Sequence, residues 1–211
     1  MRARVHLLAA AVLLAAPGLE AQVADTAAPL VQDMTNPGVV RASAAVDSVF
    51  LDGLAAERLV SPGDFASYLM ARLGVAPIPE SLRFKVVPDT SALTLTGRVS
   101  DLPPQAVAEL GPLISFLDPS TVLEARVTLT PETSRAVRFR LAEAFIGGMK
   151  VPEDILRLAM ADVGRRYPAL THTGRDLFVA IPAGARITLE SRGVRLTAPP
   201  APPPPPSRAS P

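Results

Sequence analysis

The apolar residues of this chain switch repeatedly between a spacing of two and a spacing of three to four, and each switch marks a change of element. Ser61-Pro62-Gly63-Asp64 announces a helix, because Ser61 can cap, Pro62 suits the first helical position and Asp64 complements the positive end of the helix dipole. Phe65, Leu69 and Leu73 follow at four-residue steps and Gly74 can close the turn, which predicts an amphipathic helix over 62–73. Leu82, Phe84 and Val86 then alternate with Arg83 and Lys85. After Pro88-Asp89-Thr90-Ser91 the alternation resumes in Leu93, Leu95 and Val99, giving a hairpin with one apolar face.

The same succession recurs twice. Asp101 can cap a second helix carrying Val107, Leu110, Ile114 and Leu117, kinked or split at Gly111-Pro112. Leu123, Ala125, Val127 and Leu129 form one strand of a second hairpin, Pro131-Glu132-Thr133-Ser134 its turn, and Val137, Phe139 and Leu141 the return. Val151-Pro152-Glu153-Asp154 starts a third helix bearing Ile155, Leu158, Ala159 and Val163, and Pro168 ends it. A last pair of strands, 177–181 and 186–196, is separated by Pro182-Ala183-Gly184, with Gly193 as a bulge. The pattern predicts a single α+β domain over residues 46–197: a curved antiparallel sheet of about six strands with three principal helices in helix-hairpin succession.

The ends read differently. A cationic start, a ten-residue Leu/Ala/Val run over 7–16, Pro17-Gly18 and small Ala21 form a secretory signal peptide over 1–21. The run is too short to span a bilayer, so no transmembrane segment is retained after cleavage. Residues 22–45, interrupted by Pro29, Pro37 and Gly38, read as a flexible lead. Residues 198–211, with five consecutive prolines from Pro202, read as a disordered or polyproline tail.

Composition narrows the chemistry. There is no cysteine, so disulfides and lipid attachment to cysteine are impossible, and a bacterial periplasm is the simplest destination. Removal of Arg2, Arg4 and Glu20 with the signal peptide leaves a mature charge of zero, which provides no footprint for nucleic acid. His172 is the one histidine left; it stands near Asp176, but no Gly-x-Ser-x-Gly elbow supplies a serine for a triad. Glu153-Asp154 suits a helix start without acid–base work, and Gly147-Gly148 lacks the Lys-Ser/Thr of a phosphate loop. Arg135, Arg138 and Arg140 are either an anion site or a solvated strand face. No cofactor, metal or enzymatic activity is expected.

Leu59-Val60-Ser61-Pro62-Gly63-Asp64-Phe65 leading into a helix and hairpins, and Phe145-Ile146-Gly147-Gly148-Met149-Lys150-Val151-Pro152 running into an apolar helix, resemble bacterial envelope proteins of the tubular lipid-binding and AsmA-like kind. The resemblance covers about residues 46–197 and rests on residue classes. It implies a long curved sheet wrapped against helices, with an apolar groove for lipid lined here by Phe84, Val86, Leu95, Phe139, Ile155 and Phe178. The chain is short for a lipid conduit and lacks a retained anchor, which tells against a bridge between membranes. Two readings stay open: a non-enzymatic binder of lipid or another apolar molecule, and a scaffold with a closed core that grips an envelope protein through a sheet edge or the proline tail.

Overall fold

The computed structural model describes residues 30–200, apart from 111–113, 115 and 172. The expected signal peptide over 1–21, the kink expected at Gly111-Pro112, His172 and residues 201–211 of the expected tail lie outside the described residues. The elements run β1 (Gln32–Asp33), α1 (Asn36–Phe50), β2 (Glu57–Val60), α2 (Pro62–Arg72), β3 (Lys85–Pro88), β4 (Ala92–Arg98), a 3-10 turn (Val99–Asp101), α3 (Pro104–Leu110), β5 (Val122–Thr133), β6 (Ala136–Ile146), β7 (Met149–Lys150), α4 (Glu153–Arg166), β8 (Asp176–Ala180), β9 (Arg186–Glu190) and β10 (Gly193–Thr197).

The fold is α+β with an antiparallel sheet, as the sequence pattern predicts. Seven strands form the large, unclosed sheet in the order β1-β3-β4-β5-β6-β7, with β8 also paired to β6. Its inner face carries Val86, Leu93, Leu95, Val127, Val137, Phe139, Leu177 and Val179, while Arg126, Arg138 and Arg140 alternate onto the outer face. There Arg126 meets Asp89 at 3.1 Å, Arg138 meets Glu132 at 3.3 Å and Arg140 approaches Asp176 at 4.0 Å. That is the solvated-face arrangement of the arginine strand.

Two expectations about strands are corrected. The segment 177–181 does not pair with 186–196: β8 joins the large sheet, and 186–196 folds on itself into β9 and β10, which with β2 make a second sheet in the order β2-β10-β9. Gly193 therefore follows a hairpin turn instead of bulging a long strand. It has φ +152, and a Cβ there would collide with the Val60 carbonyl of β2. Arg195 ties this sheet across its strands through hydrogen bonds to Glu190 and, at 3.0 Å, to Glu57. The β5–β6 turn is also shorter than expected: Pro131 still pairs with Val137, and only Ser134 and Arg135 turn the chain.

The flexible lead expected over 22–45 is ordered from β1 onward. The breakers in it are helix-start signals: Thr35 is the N-cap of α1 and accepts a hydrogen bond from the Gly38 amide at 3.0 Å, and Pro37 sits in the first turn. α1 lies against α2 and the small sheet, and its Ala42 and Val49 enter the core. The junction between the two helices is close and polar. The Thr35 amide donates to Ser67 Oγ at 2.9 Å, Ser67 Oγ donates to the Gly63 carbonyl at 2.7 Å, and Arg41 grips Asp64 with both Nε (2.9 Å) and Nη2 (2.6 Å). Asp64 is 7 % exposed and Gly63 is packed against the Asp33 carbonyl so closely that a Cβ would overlap it.

α2 itself forms where the sequence places it, with Ser61 as N-cap and Gly74 at φ +89 beyond its end. Phe65 is fully buried and its ring lies 5.6 Å from that of Phe139, so one aromatic contact joins the helix to the middle of the large sheet. No helix among the described residues is long and apolar enough to cross a membrane.

Two outcomes follow from this packing. At an ordinary helical position Gly→Ala stabilises by about 1 kcal/mol, but Gly63→Ala is expected to lower stability by about 1–3 kcal/mol because the overlap with Asp33 must be relieved by backbone movement. A urea midpoint equal to or above that of the parent chain would contradict this. The hydrogen bonds from Arg195 hold the Glu190 carboxyl below its ordinary value of 4.5. A carboxylate with a depressed folded-state pKa contributes stability that is present above the unfolded value and is lost as pH falls through the folded one. Thermal melts should therefore show Glu190→Gln less stable than the parent at pH 7, with the gap closing as pH is lowered from about 4.5.

Candidate functional site

The inner face of the large sheet is not fully covered. β4, β5, β6 and β8 present Leu93, Leu95, Val127, Phe139, Leu141 and Leu177 as a floor. The second half of α2 supplies one wall with Leu69, Met70 and Leu73, and α4 supplies the other with Met160, Val163 and Tyr167. Between them is a partly enclosed cavity of about 300 Å³, whose lining also includes Leu170, Gly174 and Arg175. Helical spacing explains both walls: Leu69 and Leu73 are one turn apart on α2, and Met160, Val163 and Tyr167 follow the three-and-four rhythm on α4.

α4 is held at both ends. At its start, Glu153 forms an ion pair with Nη1 of Arg175, and the Val151 amide donates to the Ala144 carbonyl of β6 at 2.8 Å. Towards its end, Gly164 meets Gly174 backbone to backbone: a Cβ on Gly164 would stand 2.6 Å from the Gly174 nitrogen, and one on Gly174 would overlap the Met160 carbonyl. Gly174 has φ +69, so both the space and the backbone conformation require glycine there.

Arg175 is the charged group of the site, and its side chain is 6 % exposed. Its surroundings account for a buried guanidinium. β6 bulges where Val127 pairs with Leu141 and Arg126 pairs with Glu143, which leaves Ala142 without an opposite residue. Nε and Nη2 of Arg175 donate to the Leu141 carbonyl at 3.0 and 2.9 Å, and Nη2 also reaches the Ala142 carbonyl at 3.1 Å. The bulge frees acceptors and the arginine satisfies them, as buried polar groups demand.

Of the six residues implied by the resemblance, the structure brings two to the cavity. Leu95 and Phe139 line its floor. Val86 is fully buried in the core next to it, and Phe84 is half-buried with its ring over Gly97, 3.0 Å from where a Cβ would be. Ile155 and Phe178 are corrections. Ile155 is 47 % exposed because the inward face of α4 is set by Leu156, Met160, Val163 and Tyr167, a phase of about one residue from that of Ile155, Leu158 and Ala159. Phe178 is 43 % exposed because strand alternation sends its neighbours Leu177 and Val179 inward.

The walls, Leu69, Met70, Leu73, Met160, Val163 and Tyr167, were not assigned to a site from the sequence, although Leu69, Leu73 and Val163 stand on the apolar helix faces it predicts and helical spacing extends those faces to the rest. Arg175 had no such signal, since it depends on a bulge in a distant strand. Two further clefts of about 340 and 430 Å³ mix apolar side chains with charged and polar ones, Arg41, Ser48, Arg58 and Asp64 in one and Asp33, Asn36, Glu80 and Arg83 in the other. Asp64 and Asn36 there already serve the α1 junction, Asn36 by hydrogen bonds with both backbone groups of Ile78. Among the described residues no three His, Cys, Asp or Glu side chains gather as metal ligands would. Comparison with protein-family models, curated proteins and solved structures finds no match for this chain.

Proposed function

We propose that the chain is an exported, non-enzymatic binding protein for a lipid or other apolar molecule of the bacterial cell envelope, held in the cavity between α2, α4 and the sheet. The observation that carries this reading is the lining: apart from Arg175 and the Tyr167 hydroxyl, every side chain facing the 300 Å³ is apolar. Pockets for small ligands are of this kind and begin at about this volume. At about 30 Å³ for a group the size of a water molecule, the space accommodates an apolar chain of about ten carbons. Complete transfer of that chain from water is worth at most about 8 kcal/mol at about 0.8 kcal/mol per methylene. Association costs reduce it, so affinities between millimolar and micromolar are expected.

The signal-peptide pattern of residues 1–21 supports export, and the absence of cysteine fits a periplasmic destination. The competing reading, a scaffold with a closed core, has less support, because a closed core would bring α4 down onto Leu95 and Phe139.

Three outcomes test the proposal. Protein exported to its native compartment and purified without detergent should release an apolar molecule on organic extraction and mass spectrometry; a clean extract, together with no uptake of added lipid, would sink the binding reading. Leu95→Trp, which fills the floor, is expected to weaken uptake of an added alkyl ligand at least tenfold, whereas Phe178→Asp on the outer face should leave it unchanged. Equal affinities for the two variants would place the ligand elsewhere. The exported chain should begin at Gln22 by intact mass, and retention of Met1 would refute cleavage.

A further inference from the structure

We propose that the ligand of this cavity is a single-chain amphiphile with a carboxylate head, anchored on Arg175 in exchange for Glu153. The inference rests on the reading of the cavity as a ligand site, and names the class of ligand. Arg175 lines the apolar space, and its guanidinium is held in a fixed plane by the Leu141 and Ala142 carbonyls. Those three hydrogen bonds use Nε and Nη2 and leave Nη1 for an acid. They supply acceptors but no net negative charge.

Glu153 supplies the charge, and it is a poor permanent partner. Its side chain is 66 % exposed, on the first turn of α4, whereas that of Arg175 is 6 % exposed. The glutamate thus gains little from the pairing, because solvent screens it and hydrates it well when released. The arginine, by contrast, always needs an anion. A carboxylate arriving on an alkyl chain of about ten carbons would neutralise the same Nη1 from the cavity side, and Glu153 would return to water. The exchange keeps the charge count in the site constant. A charge-assisted hydrogen bond of this kind is among the stronger contacts available to a small ligand.

The head group decides the sign of a simple comparison. In a purely apolar cavity, decanol binds more tightly than decanoate, because taking a carboxylate out of water is costly. With Arg175 as anchor the order reverses. Titration calorimetry on the full mature chain at pH 7, with decanoate and decanol as probes, should give decanoate at least tenfold the affinity of decanol. Glu153→Gln, which frees Nη1 of Arg175, should raise the ratio of decanoate to decanol affinity severalfold over that of the parent chain. Decanol binding as well as or better than decanoate would overturn the assignment of the head group while leaving the apolar site standing. Binding of neither probe would overturn the cavity reading and this inference with it. Should Glu153→Gln melt well below the parent chain, the decanoate-to-decanol ratio of the parent still decides.

Discussion

The position of α2 depends on a contact with no side chain on one side of it: Gly63 against the carbonyl of Asp33. A helix start can come this near an edge strand only where Cβ is absent, and the nearness lets Ser67 and Asp64 reach the β1–α1 junction. From there the direction of α2 is set. Its first turn is pinned beside β1 and β3, Phe65 is driven onto Phe139, and the rest of the helix runs out over the sheet carrying Leu69, Met70 and Leu73. α1 has the same dependence from the other side: a Cβ at Gly38 would stand 2.8 Å from Asp64 Oδ1. The polar clamp between the helices, the aromatic contact below it and the wall of the cavity are consequences of one close approach.

A cavity at the far end of α2 follows from what the chain has available to fill space. It contains seven Phe, two Tyr and no Trp, so the sheet face is covered mainly by Leu, Val and Met. Phe65 and Phe139 fill the middle of the core, and beyond them aliphatic side chains must cover a sheet that bulges at Ala142. α4 stands off the sheet, held at its start by the hydrogen bond from the Val151 amide to the Ala144 carbonyl of β6 and near its end by the meeting of Gly164 with Gly174. Two anchorages hold its middle at a distance.

Much of this was legible in the sequence, and the misses have physical causes. Ser61-Pro62-Gly63-Asp64 marked α2 to within a residue of its end, and the alternation of Leu93, Leu95 and Val127 with polar neighbours gave the inner face of the sheet. Pro37 and Gly38 were read as breakers, yet Pro37 is a helix-start residue and Gly38 is a contact requirement; local sequence does not separate the two uses without the partner, Asp64. The phase of α4 failed for a similar reason. Ile155, Leu158, Ala159 and Val163 make an apolar stripe as good as that of Leu156, Met160, Val163 and Tyr167; the two share Val163, and tertiary anchorage chooses between them. Phe178 is a groove residue only by the resemblance, whereas the period of two points Leu177 and Val179 inward. Strand partnership, which sends β8 to one sheet and β9 with β10 to another, is a long-range fact that no local period contains.

Arg175 shows how fold and site share a cause. The bulge in β6 lies at Leu141 and Ala142, beside the cavity floor, and leaves Ala142 without an opposite residue across the ladder. A neutral donor could have satisfied its carbonyl oxygen. Arginine spans further, taking the Leu141 carbonyl with two nitrogens and the Ala142 carbonyl with one, but it brings a charge that the carbonyls do not cancel. The charge then has to be met by a carboxylate, and the nearest element, α4, offers one at its first turn, where the helix dipole also favours it. The bulge, the buried cation and the start of α4 are therefore a single coupled arrangement. Straightening β6 by deletion of Ala142 would remove the acceptor and the reason for Glu153 at once.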